Sequence, residues 1–234
     1  MKEELSFRTK IGNLLASPVA QWTVITGFTL LTLWVDNLAY FLGLSYILLL
    51  VWSKKWDWNL IGMYRPKSWR QVWIQAFLFS ILIILLVDTI ITPFIEYFTG
   101  IPIDISSLDG IRGNFISYLI FILFMWVIAA FGEEFVYRGL LVQRLGTLLG
   151  NTNAAYWIAV LGSSVLFGLA HKYQGISGMI TTGIVGFIFG SIYVRSKNRL
   201  WLTILTHGIY DSILITLIYL DLDGYVFDFL KNMF

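Results

Sequence analysis

Five acids and bases and one arginine sit where a chain of this kind rarely places charge. Glu133 and Glu134 are neighbours, and Arg138 follows four residues after Glu134, in the run FISYLIFILFMWVIAAFGEEFVYRGLLV. His171 closes FGLAH, and His207 and Asp211 bracket HGIYD inside WLTILTHGIYDSILITLIYL. On a helix, positions i and i+4 share a face, so Glu134 can pair with Arg138 and His207 with Asp211. Glu133 is turned by about 100° from Glu134. One carboxylate can then be tied to the arginine while its neighbour works elsewhere.

Each cluster alone has a plain structural reading. The glutamates and arginine sit in the headgroups if the run ends before Gly132. His171 is an interfacial residue at the end of a span. His207 and Asp211 form a hydrogen-bonded pair that joins helices. Taken together, two glutamates, two histidines and an aspartate on three spans point to hydrolysis. A buried carboxylate can act as general base on water, and histidines can orient that water or donate to an oxyanion. The same residues allow a second chemistry, in which His171, His207 and Asp211 hold zinc and a glutamate serves as base. The residue types leave both open.

The elements that must position these groups are read from composition. Of 234 residues, 58% are hydrophobic and only 13% charged, whereas a soluble domain is about a quarter charged. The expected fold is all-α, a polytopic transmembrane helical bundle formed by one domain. Continuous rather than alternating apolar runs argue against a transmembrane barrel. A net charge of +2 gives no reason to expect a nucleic-acid partner, and zero cysteines exclude disulfides and thiolate chemistry. The first apolar run is read as a retained helix rather than a removed signal peptide.

Seven candidate spans are expected, at about 18–35, 38–52, 71–92, 114 through the glutamate motif, 154–171, 177–194 and 200–220, with the third stopped by Pro93. Lys2, Arg8, Lys10, Lys54, Lys55, Arg65, Lys67, Arg70, Arg144, Arg195, Lys197 and Arg199 then fall on one side. Asp36, Glu96, Asp104, Asp109, Asp221, Asp223 and Asp228 fall on the other, with Arg112, Lys172 and Lys231 as exceptions. Lysine and arginine mark the cytoplasmic side, so the N-terminus is expected inside. Gly186 and Gly190, with Gly162, Ser163 and Gly168 on the preceding span, predict close packing of spans five and six. Counted linearly, His171 lies at the outer end of its span and His207 near the inner end of its own. The two meet only if helices tilt, break or begin deeper, and the mismatch shrinks if the connection 143–153, with Gly146 and Gly150, is re-entrant or interfacial.

The three motifs resemble those of the CAAX protease and bacteriocin-processing family of intramembrane proteases. EEFVYR resembles its EExxxR motif, FGLAH its FxxxH and HGIYD its HxxxN/D, in the family's order and on separate spans. GMYRPKSW is similar to a short stretch of the same family, and the resemblance covers roughly residues 60 to 215. It implies a helical bundle with a polar catalytic cavity within the membrane, open toward the cytoplasm. It implies an intramembrane endopeptidase acting on membrane-associated peptides or proteins in the lipid bilayer. Glu133 would activate water together with His171, with no cofactor required. Glu134, held by Arg138, would support it, and His207 with Asp211 would stabilise the oxyanion. The family's third motif often carries Asn where this chain has Asp211, and an ionised aspartate only accepts hydrogen bonds. Asp211 would then orient His207 or bind zinc. Bacterial relatives are linked to peptide maturation, bacteriocin self-immunity or signalling, and a bacterial plasma membrane is the expected location. The competing expectations are a non-catalytic scaffold that regulates a sensor kinase or cell-wall enzyme, and a small transporter using the same buried acids.

Overall fold

The computed structural model describes residues 6–197 and 199–227, without the side chains of Asp36, Asn37, Val226 and Phe227. Lys2, Asp228 and Lys231, and the Asp36 side chain, therefore lie outside the described residues. Nine helices make up the described chain, with no strand among the described residues. They are α1 (Phe7–Leu15), α2 (Pro18–Trp34), α3 (Asp36–Ser53), α4 (Trp69–Thr99), α5 (Phe115–Leu148), α6 (Asn153–Leu169), α7 (Gly175–Arg195), α8 (Leu200–Tyr219) and α9 (Gly224–Phe227). Their starts follow the local chemistry. Ser17, Ser68, Asn114 and Thr152 each accept a hydrogen bond from a first-turn amide, at 3.3, 3.3, 3.1 and 3.1 Å.

The chain is a polytopic helical bundle. Four helical stretches are long and apolar enough to cross a membrane: Trp69–Thr99, Phe115–Leu148, Lys172–Arg195 and Leu200–Tyr219. A fifth is added if α1 and α2, bent by 62° at their junction, count as one span. The second and fifth of the seven expected spans correspond to shorter apolar helices, Leu38–Ser53 and Asn153–Leu169.

One expectation is corrected. Pro93 does not stop the third span, because α4 continues to Thr99. A proline lacks the N–H that an α-helix needs and crowds the preceding turn. Here the turn ahead of it, Ile84–Ile91, is widened into π-helix, and Pro93 enters the α-helical end of α4 at its first turn. Within 143–153, α5 stays helical to Leu148 and a short turn leads into α6. Gly146 there serves packing, as a β-carbon would stand 2.5 Å from the Tyr156 ring.

The two ends of the bundle differ in charge. At one end the Leu200 amide donates to Gly62 O at 2.9 Å, Arg144 to Leu60 O at 3.0 Å and Arg8 to Trp52 O at 2.7 Å. Trp69 and Trp201 meet edge to face at 5.1 Å. At the other end Arg112 binds Asp223 through two contacts of 2.6 and 2.7 Å and Asp221 at 2.8 Å. Arg112, an exception to the charge pattern, is thus neutralised by the acids around it. These hydrogen bonds hold the Asp223 carboxyl below its ordinary value of 3.8. A depressed folded-state value gives stability that is present above about pH 4 and lost as pH falls through the folded value. Arg112→Ala is expected to flatten the acid limb of a stability-versus-pH curve in detergent; an unchanged limb would sink that assignment.

The core forms two clusters that share α8, one with α2, α3 and α5 and the other with α4 and α7. Phe189 and Ile204 are fully buried there, and α8 is buried along most of its length. α6 and α7 pack closely, as the small residues predict. A β-carbon on Gly168 would meet the Met179 carbonyl, and one on Gly186 or Gly190 would press on Phe167 or Val160 at 2.8 Å.

Candidate active site

The glutamates lie inside α5, not at its end. The helix runs unbroken from Phe115 to Leu148, and its centre, Met125–Val142, is π-helical. The π geometry is rare, and it recurs at functional sites because it reorients side chains and backbone carbonyls. Here it accompanies a contact from α3. The Tyr40 hydroxyl donates to the Ile128 carbonyl at 2.9 Å, crossing above Gly132. A β-carbon on Gly132 would collide with that hydroxyl. Gly132→Ala is therefore expected to displace Tyr40 and destabilise the protein by about 1–3 kcal/mol, as overpacking does. Thermal unfolding of the purified variant in detergent measures this, and a wild-type midpoint would contradict it.

From Glu134 the site builds outward. Its side chain is 0% exposed, and Arg138, at 1%, donates to Oε1 at 2.8 Å. Arg138 also donates to the Gly186 carbonyl at 2.9 Å and lies between the Phe167 and Phe189 rings, at 5.1 and 5.3 Å. One arginine thus joins α5, α6 and α7. The same Glu134 oxygen faces His207 Nδ1 at 3.0 Å, which brings in α8. His207 Nε2 faces Asp211 Oδ2 at 3.3 Å and Glu133 Oε2 at 3.9 Å. Carboxylates only accept, so each protonated ring nitrogen donates. Glu133 differs from its neighbour in keeping a 19% exposed side chain, where Glu134 has none. The adjacent acids therefore divide as their angular offset implies: one is locked by arginine and histidine, the other reaches solvent-accessible space.

His171 joins the group by way of a ring. Phe167 packs against His171 at 4.9 Å and against His207 at 6.3 Å. The His171 Nδ1 lies 2.8 Å from the Phe167 carbonyl. A carbonyl cannot donate, so Nδ1 carries the proton of this contact. The two histidines, placed at opposite ends of their spans when counted along the sequence, thus both pack on Phe167.

All six candidate residues, Glu133, Glu134, Arg138, His171, His207 and Asp211, are therefore in one neighbourhood. Five are linked by direct polar contacts, and His171 adjoins them across Phe167. Among the described residues no group of three or more His, Cys, Asp or Glu side chains is arranged to hold a metal ion. His171, His207 and Asp211 do not make such a set.

Residues that sequence reasoning passed over also line this region. Asp88 is buried in the π-helical part of α4, and Tyr210 donates to its Oδ1 at 3.0 Å. Tyr210 precedes Asp211, so this bond ties α4 to the third motif. The signal was present in the sequence: Asp88 is the one acid in the run ILIILLVDTIITPF. Phe189 stacks on His207 at 4.8 Å and had no signal of its own.

A cavity of about 520 Å³ opens beside this cluster, between α4, α7 and the start of α8. None of the six candidate side chains lines it. It is distinct from the polar catalytic cavity that the resemblance implies.

Fold and site together define an integral membrane protein of the helical-bundle class, with acids, histidines and one arginine clustered inside the bundle. Residues 115–213 match the family described as Rce1-like, type II CAAX prenyl endopeptidase. This agrees with the family resemblance of the three motifs, all of which fall inside the matched segment, and it supports a CAAX-type intramembrane endopeptidase in general terms. Neither the curated proteins nor the solved structures contain a match to the chain.

Proposed function

We propose that this protein is an intramembrane endopeptidase that cleaves membrane-associated peptides or proteins with a glutamate-activated water. The observation that carries the reading is the division between the two adjacent acids. Glu134 is fully buried with its Oε1 held by Arg138 and His207, whereas Glu133 is partly exposed beside His207. A base must reach water, and an acid locked in a buried pair cannot.

In this reading Glu133, assisted by Nε2 of His171, takes a proton from water as its oxygen adds to the scissile carbonyl carbon. His207 lies beside the same carboxylate and donates to the oxyanion of the tetrahedral intermediate. Collapse breaks the C–N bond, and the proton held by Glu133 passes to the departing amine. Asp211 faces the edge of His207 at 3.3 Å, so its role is to orient that ring and not to donate. Glu134 and Arg138 hold the imidazole and the helices in place. The family description suggests peptides with a prenylated C-terminus as the first probe. The basic end of the bundle would face the cytoplasm and the N-terminus would lie inside.

The test is cleavage of a prenylated peptide by protein in lipid nanodiscs, with and without a chelator and with bound metal measured in the same sample. Chelator-insensitive cleavage without stoichiometric metal supports the glutamate mechanism. Cleavage lost to chelator and restored by zinc overturns it.

A further inference from the structure

We propose that the cavity between α4, α7 and the start of α8 is a binding site for one anionic phospholipid. Its two parts have the chemistry of the two parts of such a lipid. The wall is apolar, formed among others by Phe79, Leu82 and Leu86 of α4 and Ile188 of α7. Between Val72 and Leu86, both in the lining, the helix advances roughly 20 Å. That exceeds half of a hydrocarbon core of roughly 30 Å, so an acyl chain can lie along it.

The other part is basic. Arg195, at the end of α7, and Arg199, just before α8, both line the cavity, and no acidic side chain does. Among the described residues neither arginine has a carboxylate within ion-pair range, in contrast to Arg112 at the opposite end. The Arg195 guanidinium lies over the Trp157 ring at 5.7 Å, which holds its plane and leaves its N–H edge for an acceptor. A planar fork of donors suits phosphate. Arg65, Lys67 and Arg70 follow Gly62, whose carbonyl accepts from the Leu200 amide, so further positive charge surrounds this end. A zwitterionic headgroup would bring a second cation into the same field.

The site is separate from the acid–histidine cluster, but α8 connects them: Leu202 lines the cavity, and His207 lies five residues on. The experiment is native mass spectrometry of protein exchanged into mixed micelles of phosphatidylglycerol and phosphatidylcholine. Wild type is expected to retain phosphatidylglycerol selectively. Arg195→Gln/Arg199→Gln is expected to lose that selectivity by roughly thirtyfold, from about 1 kcal/mol for each basic residue near a membrane surface. Both arginines are exposed, so the variant keeps its fold. Gln75→Trp, which fills the groove without changing charge, is expected to reduce retention as well. Glu133→Ala is expected to retain lipid as wild type does. Equal retention of the two lipids by wild type, or undiminished phosphatidylglycerol retention in the double arginine variant, overturns the proposal. So does loss of retention in Glu133→Ala. Binding of glycerol phosphate as tight as that of the full lipid would identify a free-phosphate site and also overturn it.

Discussion

Glu133→Ala, purified and placed in nanodiscs, is expected to lose cleavage by about 10²–10⁴-fold, the contribution of a positioned general base. Its fold is expected to survive. The Glu133 side chain is partly exposed, and its contact with His207 is a long one at 3.9 Å. Glu133→Gln is the sharper variant, since it keeps the shape and removes the basicity. His171→Ala is expected to lose activity to a similar degree, because the Phe167 carbonyl fixes Nδ1 and so sets the orientation of the ring beside the cluster. Cleavage rate and thermal midpoint are read on the same samples. Wild-type cleavage by Glu133→Gln would remove Glu133 from the mechanism. A collapsed midpoint with lost activity would make it a structural residue.

Arg138→Ala is expected to act in the opposite sense, on the fold first. Removing one partner of a buried ion pair leaves the other charge unpaired, which typically costs about 3–5 kcal/mol. The loss here includes the bond to the Gly186 carbonyl and the ring contacts with Phe167 and Phe189, so α5, α6 and α7 are all affected. Arg138→Lys is expected to recover only part of this, because an ammonium lacks the planar fork that reaches Glu134 and Gly186 together. Unfolding in detergent, followed by tryptophan fluorescence, measures the change. A stable and active Arg138→Ala would show that the pair is dispensable and that the two acids are not divided as described. Together the two variants separate an acid that reacts from a pair that holds the site.

The physical argument joining them is burial. A charge inside a membrane span is expensive unless it is paired or faces a cavity. Glu134 and Arg138 meet the first condition, while Glu133 keeps a partly exposed side chain. That asymmetry was legible in part: i,i+4 spacing marks the pair and adjacency marks the angular offset. The motif itself did not reveal where the helix ends. FVY and GLLV after the glutamates keep the apolar pattern, and α5 continues to Leu148. The π-helical centre had no signal in residue types, because any apolar run can adopt it when neighbours require it.

What the chain's letters determined by themselves is the class. High apolar content, long continuous runs and six chemically suited residues in three ordered motifs specify a polytopic helical protein with an intramembrane polar site. Periodicity and spacing are local properties, and local pairs such as Glu134–Arg138 and His207–Asp211 follow from them. The tertiary structure alone decided which distant groups meet. It placed His207 on Glu134, set Phe167 between the two histidines and ended Arg138 on Gly186. It also bound Asp88 to Tyr210, let α4 pass Pro93, and opened a cavity lined by none of the six candidate side chains. These outcomes depend on helix tilt, depth and backbone irregularity. Those are set by how side chains from several helices fill one another's grooves, and no single segment of sequence carries that information.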